Sequence, residues 1–478
     1  MTMKTFRFLT IILLLANCSC EGFLDVRPQG EVVNNELFKN AEGFEDALYG
    51  VYATLAGEDF YGRKMTYWMN DILAQYYTRN VISDETTMLA AFRYEDQTVR
   101  PMIDDLWVGM YKNIGYVNNI LINLKRFEPS DLTYYNLYRA ESLGLRAFMH
   151  FELLRFFSEN IVNNPSARGI PYNENYSYQV PPFLSAFQVY DKIIADFKEA
   201  ETLLAAAGED FGPDDANRRG FLRDRNIHIN LHAVRALLAR VYWTKGELQQ
   251  AAEYCAKVID SGVFSLADKS EIADLMNGII SPQETIWGLF SDRFYRSTEA
   301  DLFIADKGLH LKSHEDDYAA DRVGADYRYE GWFRYYSASL HTQGWRCIKV
   351  FDIFRQESRR RPTAVVAGVS IIRLPELYYI MAEYHLSMNN QSEAMEYFDR
   401  VLSSRGLTPM ADRGGNTTLT IGHIIRERKK EFICEGQYFH TLKRYNQDIY
   451  DPRNMLTFPA SNDIYVFPIP ENEINYRD

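Results

Sequence analysis

The chain has 478 residues and a formal net charge of −13, from 52 Lys and Arg against 65 Asp and Glu. An acidic surface repels phosphate backbones, so no nucleic-acid partner is expected. Apolar residues make up 46% and charged ones 24%, which is globular composition and excludes a mostly disordered chain. No apolar run reaches the roughly 18 residues of a membrane-spanning helix, which excludes a multipass membrane protein. Aromatic residues stand at 14%, led by 33 Tyr; a ring with one polar end suits a surface that grips a ligand.

The N-terminus has the form of a secretory signal over 1–19. Lys4 and Arg7 supply the positive start, and Phe8 to Ala16 is an apolar stretch too short to span a bilayer. Cysteines stand where cleavage belongs, the pattern of a bacterial lipoprotein whose thiol takes a lipid. Cys20, preceded by the small Ser19, is the expected lipid site, with Cys18 as the alternative. The other cysteines, Cys255, Cys347 and Cys434, are odd in number and far apart. Neither a disulfide framework nor a zinc cluster is expected from them, and Cys255 is read as a small core residue.

After a loop at Asp25 to Gly30, helical patterns dominate. Ala41 to Ala56 carries Phe44, Leu48, Val51, Tyr52 and Leu55 on one apolar stripe. Leu106 to Phe127 repeats the pattern, and Ala140 to Phe157 and Phe187 to Ala206 are further helices around a loop at Ser158 to Pro182. An acidic loop at Gly208 to Gly220 follows. His232 to Gly262 and Leu377 to Gly406 then align 143 residues apart, matching Ala239 to Ala382, Ala251 to Ala394, Tyr254 to Tyr397 and Val258 to Val401. Small residues let antiparallel helices approach while an aromatic fills the groove, the logic of a tetratricopeptide pair. Between these repeats, Ser265 to Arg373 has little helical period and many aromatics. Long insertions on a rigid helical scaffold are where function tends to sit. The stretch after Tyr445 reads as a loop-like tail.

Several stretches, in order along the chain, carry a family resemblance. They are Cys20-Glu21-Gly22-Phe23-Leu24-Asp25; Trp107, Tyr111, Ile114 and Asn118; Arg146-Ala147-Phe148 with Leu153 to Phe157 and Gly169-Ile170-Pro171; Arg373-Leu374-Pro375-Glu376 with Ala382-Glu383; Glu427 to Glu431 with Glu435-Gly436; and Phe467-Pro468-Ile469-Pro470 with Glu473-Ile474. Together they resemble the SusD/RagB family of outer-membrane nutrient-binding lipoproteins. Tyr438 and Thr441 depart from it, standing where the family often has an Arg and an Asp-Leu pair. The resemblance implies a mostly α fold of tetratricopeptide-like helix pairs in a right-handed superhelix, with an irregular, loop-rich second half of short helices and few strands. Within a single body over 20–478 it implies a scaffold over 41–56, 106–262 and 374–445. The irregular, ligand-facing part spans 57–105 and 265–373, and the tail 446–478. It also implies a lipid-anchored, surface-exposed protein of the outer membrane. Such a protein captures an oligosaccharide, without a cofactor or catalysis, and delivers it to a SusC-like TonB-dependent transporter held by the helix pairs. The alternative is a peptide- or protein-binding helical-repeat scaffold of the same transporter system.

A sugar binder needs aromatic platforms for the C–H face of the ring and polar groups for its hydroxyls. Two segments have that composition. One holds Trp68, Tyr76, Tyr77, Arg79 and Asn80. The other holds Tyr327, Tyr329, Trp332, Tyr335, Tyr336 and Trp345, with Gly331 and Arg334 alongside. From these, Trp332, Tyr335, Tyr336, Tyr327, Trp345, Trp68, Tyr76, Tyr77, Arg79 and Asn80 are the ligand-binding candidates. His310 and His314 have helical metal-ligand spacing, but with no HExxH or third His the acidic stretch after them reads as solvated, and no metal is expected; the alternative is a calcium ion held by carboxylates between Glu315 and Asp321, where EF-hand spacing is absent. Glu427, Glu431 and Glu435 would line one helix face, as carboxylates for glycoside hydrolysis could. Arg426, Arg428, Lys429 and Lys430 are expected to neutralise them. No GxSxG, Walker A or GxGxxG occurs, so triad and nucleotide enzymes lack their local signature.

Overall fold

The structure, a computed structural model, describes residues 36–77, 83–177, 179–207, 220–269, 279–281, 283–303, 309, 311, 317–318, 326–337, 343–351, 366–414, 417–452, 454 and 455–475. Cys18, Cys20, Arg79, Asn80, His310 and His314 lie outside the described residues.

The scaffold helices are α1 (Ala41–Leu55), α2 (Arg100–Leu124), α3 (Tyr135–Phe157), α4 (Ala186–Ala206), α5 (Leu231–Lys245), α6 (Leu248–Ile259), α7 (Leu374–Ser387), α8 (Gln391–Ser404), α9 (Ile421–Glu431) and α10 (Tyr438–Arg444). From α3 to α8 each packs on the one before it, and α9 packs on α7 and α10. The helices expected from sequence are present. α2 begins six residues earlier than its apolar stripe, because Pro101 sits in the first turn, where a missing N–H breaks no helical bond. α3 begins five residues earlier than expected, at Tyr135.

Local chemistry sets the helix ends. Ser185 and Gln188 form a reciprocal capping box on α4, and the Asn230 side chain accepts from Ala233 N at 2.8 Å to start α5. Gly246 ends α5 at φ 87°, a left-handed turn that lets α6 fold back antiparallel. In the later repeat, Pro375 lies in the first turn of α7.

α3 is buried on every side from Ala140 to Phe157. A helix buried all round must pair its polar side chains. Glu141 accepts from Tyr52 Oη at 2.6 Å and Arg225 Nη1 at 2.5 Å, with His228 Nδ1 at 3.0 Å. Arg146 donates to both oxygens of Asp196 at 2.7 and 2.8 Å. Two of the sequence motifs meet here: Tyr111 Oη donates to Pro171 O at 2.7 Å, and Arg146 Nη1 donates to Asn118 Oδ1 at 3.1 Å. The C-terminal Phe467 motif docks beside them, its N–H donating to Phe156 O at 2.9 Å and its ring stacked on Phe156 at 5.0 Å.

The few strands are short: β1 (Arg168–Pro171) and β2 (Phe183–Ser185); β3 (Ile279–Ile280) and β4 (Thr285–Phe290); β5 (Phe333–Ser337) and β6 (Gln343–Cys347); β7 (Val366–Arg373); and β8 (Ile449–Asp451) and β9 (Leu456–Phe458). All the pairings are antiparallel. β7 lies between β3 and β4 and runs directly into α7. The insertion between the two repeats is thereby continuous with the later repeat. The expected loop-like tail instead holds the β8–β9 hairpin and two short helices, Asn462–Tyr465 and Glu471–Asn475.

Candidate functional site

The site stands on a buried charge network that joins the insertion to the scaffold. Arg373, at the end of β7, donates to Glu284 at 2.8 Å and to Glu431 at 2.8 Å, and reaches Glu435 at 2.6 Å. Arg405 donates to the same Glu431 at 2.8 Å and to Glu284 at 3.1 Å. Arg328 bridges Asp326, Glu427 and Glu431 at 2.7, 2.8 and 2.9 Å. Lys349 Nζ contacts Glu435 at 2.5 Å. Burial alone would raise the Glu431 pKa; Arg405 and Arg373 outweigh it and hold the carboxyl well below its ordinary range.

These contacts correct two sequence expectations. α9 ends at Glu431, so Glu435 lies past the helix rather than on its face. The carboxylates are neutralised mainly by Arg328, Arg373, Arg405 and Lys349 from distant parts of the chain. Of the four neighbours expected to do this, Lys430 pairs with Glu427 and Lys429 with Asp317 at 2.6 Å. A buried carboxylate held ionised by several arginines cannot serve as a general acid. At the departures from the family pattern, Thr441 Oγ1 accepts from Arg428 Nε at 3.0 Å, and Tyr438 packs on Tyr76 at 5.6 Å. At Gly436, φ is 70° and an added Cβ would lie 1.9 Å from Met65 O.

Above this network stands the β5–β6 ribbon. Its register pairs Phe333 with Cys347 and Tyr335 with Trp345, so these four share one face. Phe333 and Cys347 are buried and anchor the ribbon, whereas Tyr335 is 52% exposed. The half-buried Trp345 meets Tyr335 edge to face at 5.6 Å and Tyr329 at 6.1 Å. Tyr329 in turn rests on Tyr318 at 5.7 Å, whose hydroxyl donates to Lys430 O at 3.1 Å. Arg334, exposed beside Tyr335, donates to Glu330 O at 3.0 Å. The result is a tiered aromatic shelf with a rigid base and an open upper edge.

The other candidates are placed differently. Trp332 is 0% exposed, with Lys349 Nζ 4.1 Å over its ring, so it belongs to the core and cannot be a platform. Trp68 is buried with the Arg63 guanidinium 4.1 Å over its ring. Tyr76 donates to Lys429 O at 2.5 Å and Tyr77 to Tyr67 O at 2.8 Å; both are buried. These three correct the expectation that they bind the ligand, because their packed rings leave no open face for a sugar. Tyr327 is half-buried under Lys269 Nζ, 4.9 Å from its ring centre, and its N–H donates to Arg405 O at 3.0 Å. The backbone of Tyr336 pairs with Gly344, and its side chain lies outside the described residues.

The two predicted segments nevertheless meet. Leu311 forms a bridge with Tyr77, and its N–H donates to Trp345 O at 3.0 Å. Arg63 Nε and Tyr67 Oη both donate to Asp301 Oδ2, at 2.6 and 2.9 Å. The first segment is therefore the packed support of the second. Tyr329 completes the shelf, but nothing in its spacing sets it apart from other aromatics of the insertion; the signal would have been the hairpin register around Tyr335 and Trp345.

A second concavity, of about 770 Å³, lies on the later helix pair and is lined by Phe264, Tyr378, Met395, Glu396, Arg400 and Pro409 among others. Among the described residues, no group of His, Cys, Asp and Glu is arranged to hold a metal, and no helix is long and apolar enough to cross a membrane.

Comparison with known proteins agrees with this architecture. The family model "SusD family" matches residues 337–478, "Starch-binding associating with outer membrane" matches 22–243, and a tetratricopeptide repeat matches 233–261. The chain is 24% identical over 531 aligned residues to SusD-like protein P2 of Formosa agariphila, covering 99% of this chain and 97% of that one. Its fold is similar to a SusD superfamily protein from Bacteroides thetaiotaomicron, with TM-score 0.74, 21% identity, and 91% and 98% of the two chains covered. It is also similar to a SusD-like carbohydrate binding protein from Bacteroides vulgatus, with TM-score 0.70, 18% identity, and 91% and 96% covered. With the two SusD-type models matching the two ends of the chain around a tetratricopeptide repeat, the protein belongs to the SusD/RagB family.

Proposed function

We propose that this protein is a cell-surface glycan-binding lipoprotein that captures an oligosaccharide and delivers it, uncleaved, to a SusC-like TonB-dependent outer-membrane transporter. The observation that carries the reading is the edge-to-face pair of the exposed Tyr335 and the half-buried Trp345 on a ribbon with a buried base. Tyr335 offers a sugar ring an apolar face. Each stacking contact contributes about 1 kcal/mol, so one site of this kind binds in roughly the micromolar to millimolar range. Capture without cleavage agrees with carboxylates that are buried and paired in the charge network. The relative from Bacteroides vulgatus described as carbohydrate binding, and the starch-binding description of the matching family model, support the ligand class.

The test is affinity electrophoresis against a panel of soluble polysaccharides. The wild-type chain is retarded by at least one glycan, and the double variant Tyr335→Ala with Trp345→Ala runs free on the same gel. Equal retardation of both proteins would remove the shelf as the site. Lipid attachment at Cys20, with Cys18 as the alternative, is part of the same proposal; radiolabelled palmitate enters the wild-type chain and not the Cys20→Ser variant.

The cleft on the later helix pair favours a second reading, a scaffold that binds a peptide or protein. Its volume and mixed apolar and charged lining suit an extended segment. Under that reading the double variant keeps every binding property of the wild type, whereas Met395→Asp abolishes partner capture.

A further inference from the structure

A small, partly open cavity of about 20 Å³ lies where the end of α3 meets α4, α5 and α10, far in sequence from the ribbon. Arg155, Asn160, Tyr190, Thr244, His440 and Lys443 are among its lining residues. The space holds about one water-sized sphere, a size that suits a halide.

The charges around it do not balance locally. Arg155 is satisfied by Glu152 at 2.7 Å and Gln437 at 2.9 Å, and Arg444 by Glu383 at 3.0 Å and Trp243 O at 2.8 Å. Lys443 has no such carboxylate. Its Nζ donates to Arg155 O and Ser158 O, both at 2.6 Å, where it caps the negative end of α3. Two carbonyls take two of its three donors. Glu159, the carboxylate in the lining, accepts from Asn164 Nδ2 at 3.2 Å. His440 is 5% exposed, its ring lies edge to face with Phe156 at 4.7 Å, and neither ring nitrogen has a partner in the protein. Buried polar groups are otherwise paired almost everywhere in folded proteins.

We propose that this cavity is a binding site for one monovalent inorganic anion of halide size, held by the Lys443 ammonium and the His440 ring N–H. An ammonium buried without a counter-ion is costly, and an anion here removes that cost while giving His440 a partner. Burial first, then Arg155 and Lys443, keep His440 neutral, so its ring presents one donor and one acceptor. Burial and Arg155 also pull the Lys443 pKa down to about 7, with the Glu159 carboxylate only partly opposing them. The assignment does not depend on the glycan-binding reading.

The test uses bromide as the probe. Thermal unfolding at neutral pH is followed in sodium bromide and in sodium gluconate at equal ionic strength, and a bromide-soaked crystal is measured for anomalous scattering. The expected result is a saturable Tm rise of roughly 1–3 °C in bromide and an anomalous peak beside Lys443 and His440. The bromide increment disappears in Lys443→Met. Should that variant fail to fold, His440→Phe serves in its place, and the crystal stands without either. Equal Tm in the two salts with no peak in the cavity would mean that water fills it, and the site would be withdrawn. A bromide increment that survives both substitutions, or peaks confined to the outer surface, would overturn the assignment equally.

Discussion

Two aromatic-rich stretches, 61–77 and 327–345, have similar composition and opposite fates. In the first, every aromatic ring is buried, and the hydroxyls of Tyr76 and Tyr77 end on the backbone carbonyls of Lys429 and Tyr67. In the second, a two-stranded ribbon buries Phe333 and turns Tyr335 outward. The difference comes from what each stretch rests against. Residues 61–77 are clamped by Asp301, Gly436 and Lys429 from far along the chain. The ribbon has one face on that clamp and leaves Tyr335 52% exposed at its edge. An aromatic residue thus becomes core or platform according to the partners that arrive from elsewhere.

The comparison breaks most severely if its common base is removed. Arg373→Met leaves Glu284, Glu431 and Glu435 buried with too little positive charge. It is expected to cost about 3–5 kcal/mol, read as a lower midpoint in urea unfolding; a wild-type midpoint would mean that the network is not what joins insertion to scaffold.

Alanine at Trp68 and at Tyr335 sharpens the contrast directly. Trp68→Ala removes a packed ring and is expected to destabilise by about 3–5 kcal/mol, while Tyr335→Ala stays within about 0.5 kcal/mol yet loses glycan retardation. Comparable stability losses at the two positions would erase the distinction between support and shelf.

Acid is expected to weaken the support before it alters the shelf. Burial holds the His150 pKa down to about 3 against an ordinary 6.5. Burial would raise Glu376, but Arg240 and Arg428 hold it at about 2 against 4.5. In both cases the unfolded chain binds protons more readily, so stability is complete above pH 6.5 for His150 and above 4.5 for Glu376. It is lost as pH falls through those values toward about 3 and about 2. Burial raises Asp71 well above its usual range, an effect of opposite sign from a single carboxyl. The urea midpoint should therefore fall steadily from pH 7 to pH 3; a flat profile would contradict the burial of these groups.

The smallest effect tests a single hydroxyl. Tyr77→Phe forfeits the bond to Tyr67 O and is expected to cost about 0.5–1.5 kcal/mol with glycan retardation unchanged. A loss of binding without a loss of stability would return Tyr77 to the ligand site.

Much of the scaffold was legible in the residues. The 3.6-residue apolar stripes of α1 and α2, and the matched Ala and Tyr positions of the two repeats, are local consequences of helix geometry and close helix approach. Even α3 was recognisable, although its burial on all sides removes most of its periodicity. The motif at Arg373 to Glu376 was visible as a string, but its purpose was not: Arg373 belongs to the charge network, while Glu376 takes Arg240 of the earlier repeat at 2.6 Å. The site was half legible. Its aromatic content marked the region, but Trp332, flanked by Gly331 and Arg334 and so read as loop-borne, is core, whereas Tyr335 is exposed and Trp345 half-buried.

By itself, then, the order of residues determined the helices, their caps and their pairing into repeats, because those depend on neighbours within about four positions. Only the tertiary structure decided which arginine meets which glutamate and which rings stay open. Those outcomes join residues such as Arg63 and Asp301, or Lys349 and Glu435, that are brought together by packing and by the need to pair every buried charge. No spacing along the chain encodes them.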